Sequence, residues 1–502
     1  MADSDNDEIV SIQLNRSRTR QEPLYAQLYS RIIELIRAGQ LAPGYALPPV
    51  RRLAGSLAIN PGTVVKAYKE LENNGYALAR PGSGFYITEP PAAAAAMPAG
   101  EGAVTGTPAE DLPRLTDTAP LRVEMAADTE ILPEHSDCIN MRSISLNPDI
   151  VSVQQFKEFV CEVLDRDGAR VFAYQDSQGY TPLRESLAGY LARSGIKASA
   201  GQIQIISGAQ QGIDLTARAL LSHGDYVFTE SPTYPGAIVA FRAYGARVVD
   251  IPMTGRGIDI RRLEKMMARL HPKLLYVMPN IQNPTGLSYD RDTRARVMGL
   301  ARYYGAYVLE DDYISELCYG EPLAPLKALD RDDRVIYLKS FSKMFLPGLR
   351  LAFLYMPQRL HERLLAMKQI TDRATSGLTQ RVFDLYLRRG VWQHHVASLR
   401  EVYQTQFRFA ERALKAQLQP EWDFLTPLGG LSFWLRVPEG VSSATLEHQA
   451  AGQRLLIADG AQFYPHHADH RHIRLSIATV SLPEIEAGVN ILRRLGEAGG
   501  SR

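Results

Sequence analysis

Two hydrophobic rhythms divide the chain. Near the amino end, apolar residues recur at helical steps, with Leu24, Leu28, Ile32 and Leu35/Ile36 forming one stripe in PLYAQLYSRIIELIRAG that stops at Gly39. Val50, Leu53, Ala54 and Leu57 mark a second, shorter helix that leaves Arg51 or Arg52 outside. Val64, Ala67/Tyr68 and Leu71 in INPGTVVKAYKELENNGY mark a third, with Asn60 as its cap, Pro61 in its first turn and Gly75 as its left-handed stop. ALARPGSGFYIT then reads as a hairpin with Gly82, Ser83 and Gly84 at the tip. Further on the rhythm changes. IQIIS precedes QGIDLTARALL, YVFTES precedes GAIVAFRAYG, LLYVMP precedes RDTRARVMGLARYYG, and YVLEDD and VIYLKS follow. This alternation of short β runs and amphipathic helices predicts an α/β domain with a mostly parallel sheet covered on both faces, whose ligands sit beyond the carboxyl ends of the strands.

Between the two rhythms, PPAAAAAMPAGEGAVTGTPAEDLP has neither period, and its Ala, Pro, Gly and acidic content reads as a flexible linker over residues 89–135. The boundaries expected are therefore a disordered acidic tail over 1–15, a compact head over 16–88, the linker, and a large domain over 136–498. A chain of 502 residues exceeds what one hydrophobic core serves, in agreement with that division. The formal net charge of +1 conceals an asymmetry. From Arg16 to Ile87 ten Lys/Arg face four Asp/Glu, the footprint of a phosphate-binding surface, whereas Thr88 to Asp137 carries ten acids against Arg114 and Arg122. The acidic start MADSDNDEIV has no apolar core, and no apolar run approaches membrane-spanning length, so the cytoplasm is the expected location. Cys138, Cys161 and Cys318 are far apart and fit neither a disulfide framework nor a metal site.

Candidate chemistry gathers at strand ends. In VIYLKSFSKMFLPGLRLAF a strand runs into SFSK and an arginine follows, so that Lys343 is placed to form an imine with an aldehyde cofactor, and Ser340, Ser342 and Arg350 to hold a phosphate. Lys339 lacks the bracketing serines and reads as a strand-edge charge. SGAQQG offers Gly208, Ala209 and Gln210 at a strand-to-helix turn, where backbone N–H groups and the helix dipole favour phosphate. Tyr234 in SPTYPG can stack on a pyridine ring, Asn283 in NPTG can donate to a phenolic oxygen, and Tyr313 can reach the same oxygen. Asp311 ends a buried strand, where a protonated pyridine nitrogen is the cation it needs. Neither the acids at 310–312 nor the histidines of HHADHRH present a recognisable ligand set, and no metal is expected.

The order PLYxQ, GxLxPGxxLPxxRxLA, NPxTVxxAYxxLxxxGY and RxGSGFY resembles the winged helix-turn-helix head of GntR-family bacterial regulators over residues 21–88. Pro49 stands where that family often has serine, and Pro61-Gly62 replaces its commoner Ser-Arg. The resemblance implies that Arg51, Thr63, Lys66 and the wing Gly82, Ser83 and Gly84 contact double-stranded operator DNA. From about Ile139 to Leu495 the chain resembles the fold-type-I aminotransferase domain with a smaller C-terminal α+β subdomain, and the whole layout is similar to MocR-type regulators. This implies pyridoxal 5'-phosphate on Lys343, with Lys343 and Asp311 as the catalytic pair. It further implies a homodimer in which Tyr174 reaches the neighbouring subunit's phosphate, and Arg474 as the clamp of a ligand carboxylate. Unaided, Arg474 reads as a strand-edge salt bridge, and MRSISLNPD departs from the family where a glycine is frequent, bringing Arg142, Ile144 or Ser145 to the pocket. The expected function is sensing of a small amine or amino acid by external aldimine formation, coupled to DNA binding; the alternative is a working aminotransferase with a DNA-binding head.

Overall fold

The computed structural model describes residues 12, 24–37, 39–73, 76–80, 84–88, 137–147, 150–321, 323–418, 420–466 and 470–499. The chain divides into two compact units, residues 1–113 and 114–502, with the division inside the expected linker. Apart from Ile12, the expected tail and the linker lie outside the described residues. Ile12 itself is buried with the apolar residues of the head.

The head contains α1 (Leu24–Arg37), α2 (Val50–Ser56), α3 (Pro61–Asn73) and a hairpin of β1 (Ala77–Arg80) and β2 (Gly84–Ile87). The helical stripes point as their spacing demands: Leu28, Ile32, Leu53, Val64, Ala67, Tyr68 and Leu71 are all buried in one cluster. Tyr68 buries its ring without losing its hydroxyl bond, which it donates to the Pro48 carbonyl over 2.9 Å. Asn60 Oδ1 accepts from the Gly62 N–H at 2.7 Å, the expected cap. Gly75, the expected stop, lies outside the described residues. The hairpin is antiparallel, with Ala77 opposite Ile87 and Arg80 opposite Gly84.

The large unit is built on eight strands: β4 (Ile203–Ile206), β5 (Tyr226–Ser231), β6 (Arg247–Thr254), β7 (Gly257–Ile258), β8 (Leu274–Val277), β9 (Tyr307–Asp312), β10 (Val335–Ser340) and β11 (Ala352–Tyr355). They form one sheet in the order β4-β11-β10-β9-β8-β5-β6-β7. The neighbours from β10 through β9, β8 and β5 to β6 are parallel, while β11 runs antiparallel to both β10 and β4. Every residue of β4, β8 and β10 is buried, Gln204, Lys339 and Ser340 included, as expected of strands covered on both faces. In the C-terminal part, β12 (Ser432–Arg436), β14 (Ala458–Asp459) and β15 (His472–Ser476) form a smaller antiparallel sheet with β15 in the middle. The pair β3 (Ile139–Asn140) and β13 (Leu455–Leu456) ties the start of the unit to that part. A helix of 27 residues, Val391–Gln417, contributes to both cores. Among the described residues no helix is long and apolar enough to cross a membrane.

Candidate functional site

Strand register brings the phosphate-type groups to one edge. Ser340 at the end of β10 lies opposite Ala352, which lies opposite Ile206 at the end of β4, so the turns after β4 and β10 emerge side by side. Gly208 precedes the helix Ala209–Leu220 with φ of 95°, and a Cβ there would sit 2.4 Å from Arg350 Nη2. Only glycine lets the guanidinium lie against that helix terminus. Arg350 Nη2 also donates to the Ser207 carbonyl at 3.3 Å. Beside it, the Ser342 N–H donates to Ser340 Oγ at 3.2 Å, and Ser342 Oγ is buried with no hydrogen-bond partner among the described residues. Lys343 is half-buried in the turn that follows. A cation, two hydroxyls and a helix N-terminus thus surround one spot.

Asp311 is buried in β9. Its Oδ2 accepts from the Tyr276 hydroxyl at 2.7 Å, and its Oδ1 has no partner among the described residues. Burial pushes the carboxyl up to about 7, with the neighbouring Asp312 adding to the rise and Tyr276 and Lys339 opposing it. Among the described residues nothing bonds the second oxygen of Asp311. At the ends of β5 and β8, the Tyr234 hydroxyl donates to Gln210 Oε1 at 3.3 Å, and Asn283 Oδ1 accepts from Arg474 Nη1 at 3.0 Å. Tyr313, half-buried, packs against the clusters on both faces of the sheet.

Arg474 overturns its unaided reading. It is fully buried on β15, the central strand of its sheet, opposite Trp434 on one side and Ala458 on the other. Its Nη2 donates to the Arg142 carbonyl at 2.9 Å, and its guanidinium lies 4.9 Å from the centre of the Phe463 ring. The Arg142 side chain turns elsewhere, its Nη2 pairing with Glu447 at 2.6 Å, and Ile144 is buried while Ser145 is partly exposed. Tyr174 is 90% exposed. In the head, Arg51 and Lys66 are exposed, Thr63 is half-buried, and Lys66 Nζ lies 3.7 Å from the Tyr25 ring centre. Gly84 opens β2, while Gly82 and Ser83 lie outside the described residues.

Lys339 also departs from its expected place. It is fully buried and pairs with Asp312 Oδ1 at 3.0 Å and Glu316 Oε2 at 2.6 Å. Sequence reasoning passed over Tyr276 and Glu230. Glu230, buried in β5, accepts from the Tyr289 hydroxyl at 2.6 Å, the Met278 N–H at 3.0 Å and Gln282 Nε2 at 3.1 Å, and so braces the loop that carries Asn283. A carboxylate inside an otherwise apolar strand was the available signal. His466 pairs with Asp250 at 3.2 Å and His472 stacks on Trp434.

Comparison with known proteins follows this division. The pattern of the aminotransferase class I and II family matches residues 144–492, and that of bacterial regulatory proteins of the gntR family matches residues 24–87. The aromatic-amino-acid aminotransferase 1 of Thermococcus litoralis is 31% identical over 73% of this chain and 89% of its own length. The probable rhizopine catabolism regulatory protein MocR of Rhizobium meliloti is 26% identical, over 95% of this chain and 94% of its own. In structure, the α-aminoadipate aminotransferase LysN of Thermus thermophilus, complexed with N-(5'-phosphopyridoxyl)-L-leucine, superposes with a TM-score of 0.69 at 30% identity, covering 73% of this chain and 94% of that one.

Proposed function

Because the chain belongs to the class I and II aminotransferase family and carries a GntR-family head, as regulators of the MocR kind do, we propose that it is a transcriptional regulator that senses an amine or amino acid at Lys343. The family implies pyridoxal phosphate. The observation that carries the reading is the buried Asp311 Oδ1, without a partner among the described residues, in a chain whose GntR-type head exposes Arg51 and Lys66. The cofactor, when bound, supplies an aldehyde that captures primary amines and a protonated ring that withdraws electrons from them.

The residues fit that group. Gly208, Ala209, Gln210, Ser340, Ser342 and Arg350 would hold its phosphate, with Tyr174 of a second copy in a homodimer completing the cradle. Asp311 would take the ring N–H, Tyr234 cover the ring face, and Asn283 and Tyr313 bind the phenolic oxygen. Lys343 would hold the cofactor through its amine and would take up the proton that an incoming primary amine gives up. Arg474 grips the ligand carboxylate with its fork. Since Arg474 already bonds Asn283 and the Arg142 carbonyl, a ligand that draws on its guanidinium acts on both. Differential affinity for two arrangements of the large unit then changes how the heads, through Arg51, Thr63, Lys66 and the wing at Gly82, Ser83 and Gly84, engage operator DNA.

The test follows DNA affinity and the visible spectrum together while amines and amino acids are added. Wild type should respond in both, and a Lys343→Ala protein in neither. A Lys343→Ala protein whose DNA binding still answers the ligand overturns the reading. The 31% identity to an aminotransferase favours a second one, catalysis of transamination, which sustained turnover of an amino donor with a keto acid would establish.

A further inference from the structure

On the side of β9 opposite Asp311 the large unit has a half-open cavity of about 530 Å³. Successive strand residues face opposite ways, so Asp311 turns to Tyr276 while Asp312, in the cavity wall, turns to Tyr337 and Lys339. The end of the helix Thr181–Ala192, the turn after β9, the loop after β8 and the helix Val391–Gln417 also line it. We propose that this cavity is a second ligand site, separate from the amine site at Lys343, and that it takes a small dicarboxylate with a compact apolar body.

The charge balance of its walls selects the ligand. The acidic floor is already satisfied: Glu316 accepts from the Tyr190 hydroxyl at 2.5 Å and from Lys339 at 2.6 Å. Asp312 accepts from Lys339 at 3.0 Å and from the hydroxyls of Tyr337 and Ser315 at 2.5 and 2.7 Å. Glu321, the other carboxylate in the lining, pairs outward with Arg291 at 3.0 Å. The two arginines in the lining have no such counterpart. Among the described residues no carboxylate lies within ion-pair distance of Arg193 or of Arg400. The Gln393 carboxamide, oriented with its oxygen toward Arg193, accepts from Nη1 and, at 3.1 Å, from Nη2, and Arg400 Nη1 reaches the Glu316 carbonyl at 3.3 Å.

Two guanidiniums borne by different segments, each held by a neutral oxygen alone, suit a molecule with an acidic group at either end. Trp392 and Ile281 give the apolar wall against which its body would lie. The volume falls in the range of small-molecule sites. A diamine would meet the two arginines as like charges, and a neutral molecule would leave them without a counter-ion. Occupation has a route to Lys343 as well. The helix that bears Arg400 also bears His395, whose Nε2 lies 2.7 Å from the carbonyl of Met344, the residue after Lys343.

The experiment titrates full-length protein, with pyridoxal phosphate present, by calorimetry and thermal melting, using adipate and isophthalate, with their neutral diamides as controls. Both diacids should bind and raise the melting temperature, and the diamides should do neither. Arg193→Gln and Arg400→Gln should each weaken binding by about ten-fold or more. Arg193 is exposed, so that variant keeps its fold, which circular dichroism checks. Arg474→Lys should bind the diacids as wild type does. The proposal fails if millimolar diacid produces neither heat nor a melting shift, if the diamides bind equally, or if Arg474→Lys alone abolishes binding, which would place the diacids at the amine site.

Discussion

Asp311 and Arg474 are both buried, and they are buried differently. Arg474 is held by an amide oxygen and a backbone carbonyl, whereas half of the Asp311 carboxylate meets nothing among the described residues. With its carboxyl raised from 3.8 to about 7, native Asp311 keeps a proton that the unfolded chain has released over that interval. Glu230 and Glu310, each raised from 4.5 to about 7 by burial, act in the same sense. At these three groups the native state binds more protons, so their contribution to the stability of the cofactor-free protein should fall as pH climbs from about 4 to about 7, against the opposing effect of His395, whose pKa burial lowers. Melting temperature against pH reads this, and Asp311→Asn should remove part of the slope while weakening pyridoxal phosphate binding. Arg474→Gln should cost about 1.5–3 kcal/mol of affinity for carboxylate-bearing ligands and little for simple amines, measured by spectral titration.

At the scale of elements, the neighbouring strands β9 and β10 place Asp312 opposite Lys339, and that pairing decides a residue whose local sequence reads as an exposed charge. Replacing Lys339 by Met would leave Asp312 and Glu316 buried without their cation, an expected loss of about 3–5 kcal/mol visible in the urea midpoint. In the head, Asn60→Ala should destabilise its unfolding transition by about 1 kcal/mol through loss of the cap. Lys66→Ala should weaken binding to all DNA sequences alike and lower the salt slope by about one. The contrast shows what was legible. Local signals sufficed for the Asn60 cap, for the buried stripe of α3, for the turn at Gly208 and for the burial of Asp311, because each is set by residues within one turn or one strand. Tyr276, Glu230, Lys339 and the buried setting of Arg474 depend on which strand lies beside which. That order, β4-β11-β10-β9-β8-β5, follows from packing of the whole sheet and not from any short segment.

The whole molecule joins two units with separate cores, so a substitution that disturbs one core can leave the other intact. Tyr174, nearly fully exposed, tests the dimer most directly. If each site borrows this tyrosine from its neighbour, Tyr174→Ala and Lys343→Ala proteins are each impaired alone. Coexpressed, they form a mixed dimer with one complete site, and about half of the wild-type cofactor signal per dimer should return. Failure of the mixed dimer to recover any signal would place Tyr174 in its own subunit's pocket.

The carbonyl of Arg142, on which Arg474 rests, belongs to the backbone and is present whatever side chain stands there. The Arg142 side chain, turned to Glu447, is thereby free to change without removing that acceptor. If Arg474 holds a ligand carboxylate as proposed, libraries that vary residues 142, 144 and 145 can search for new ligands while its backbone support stays in place.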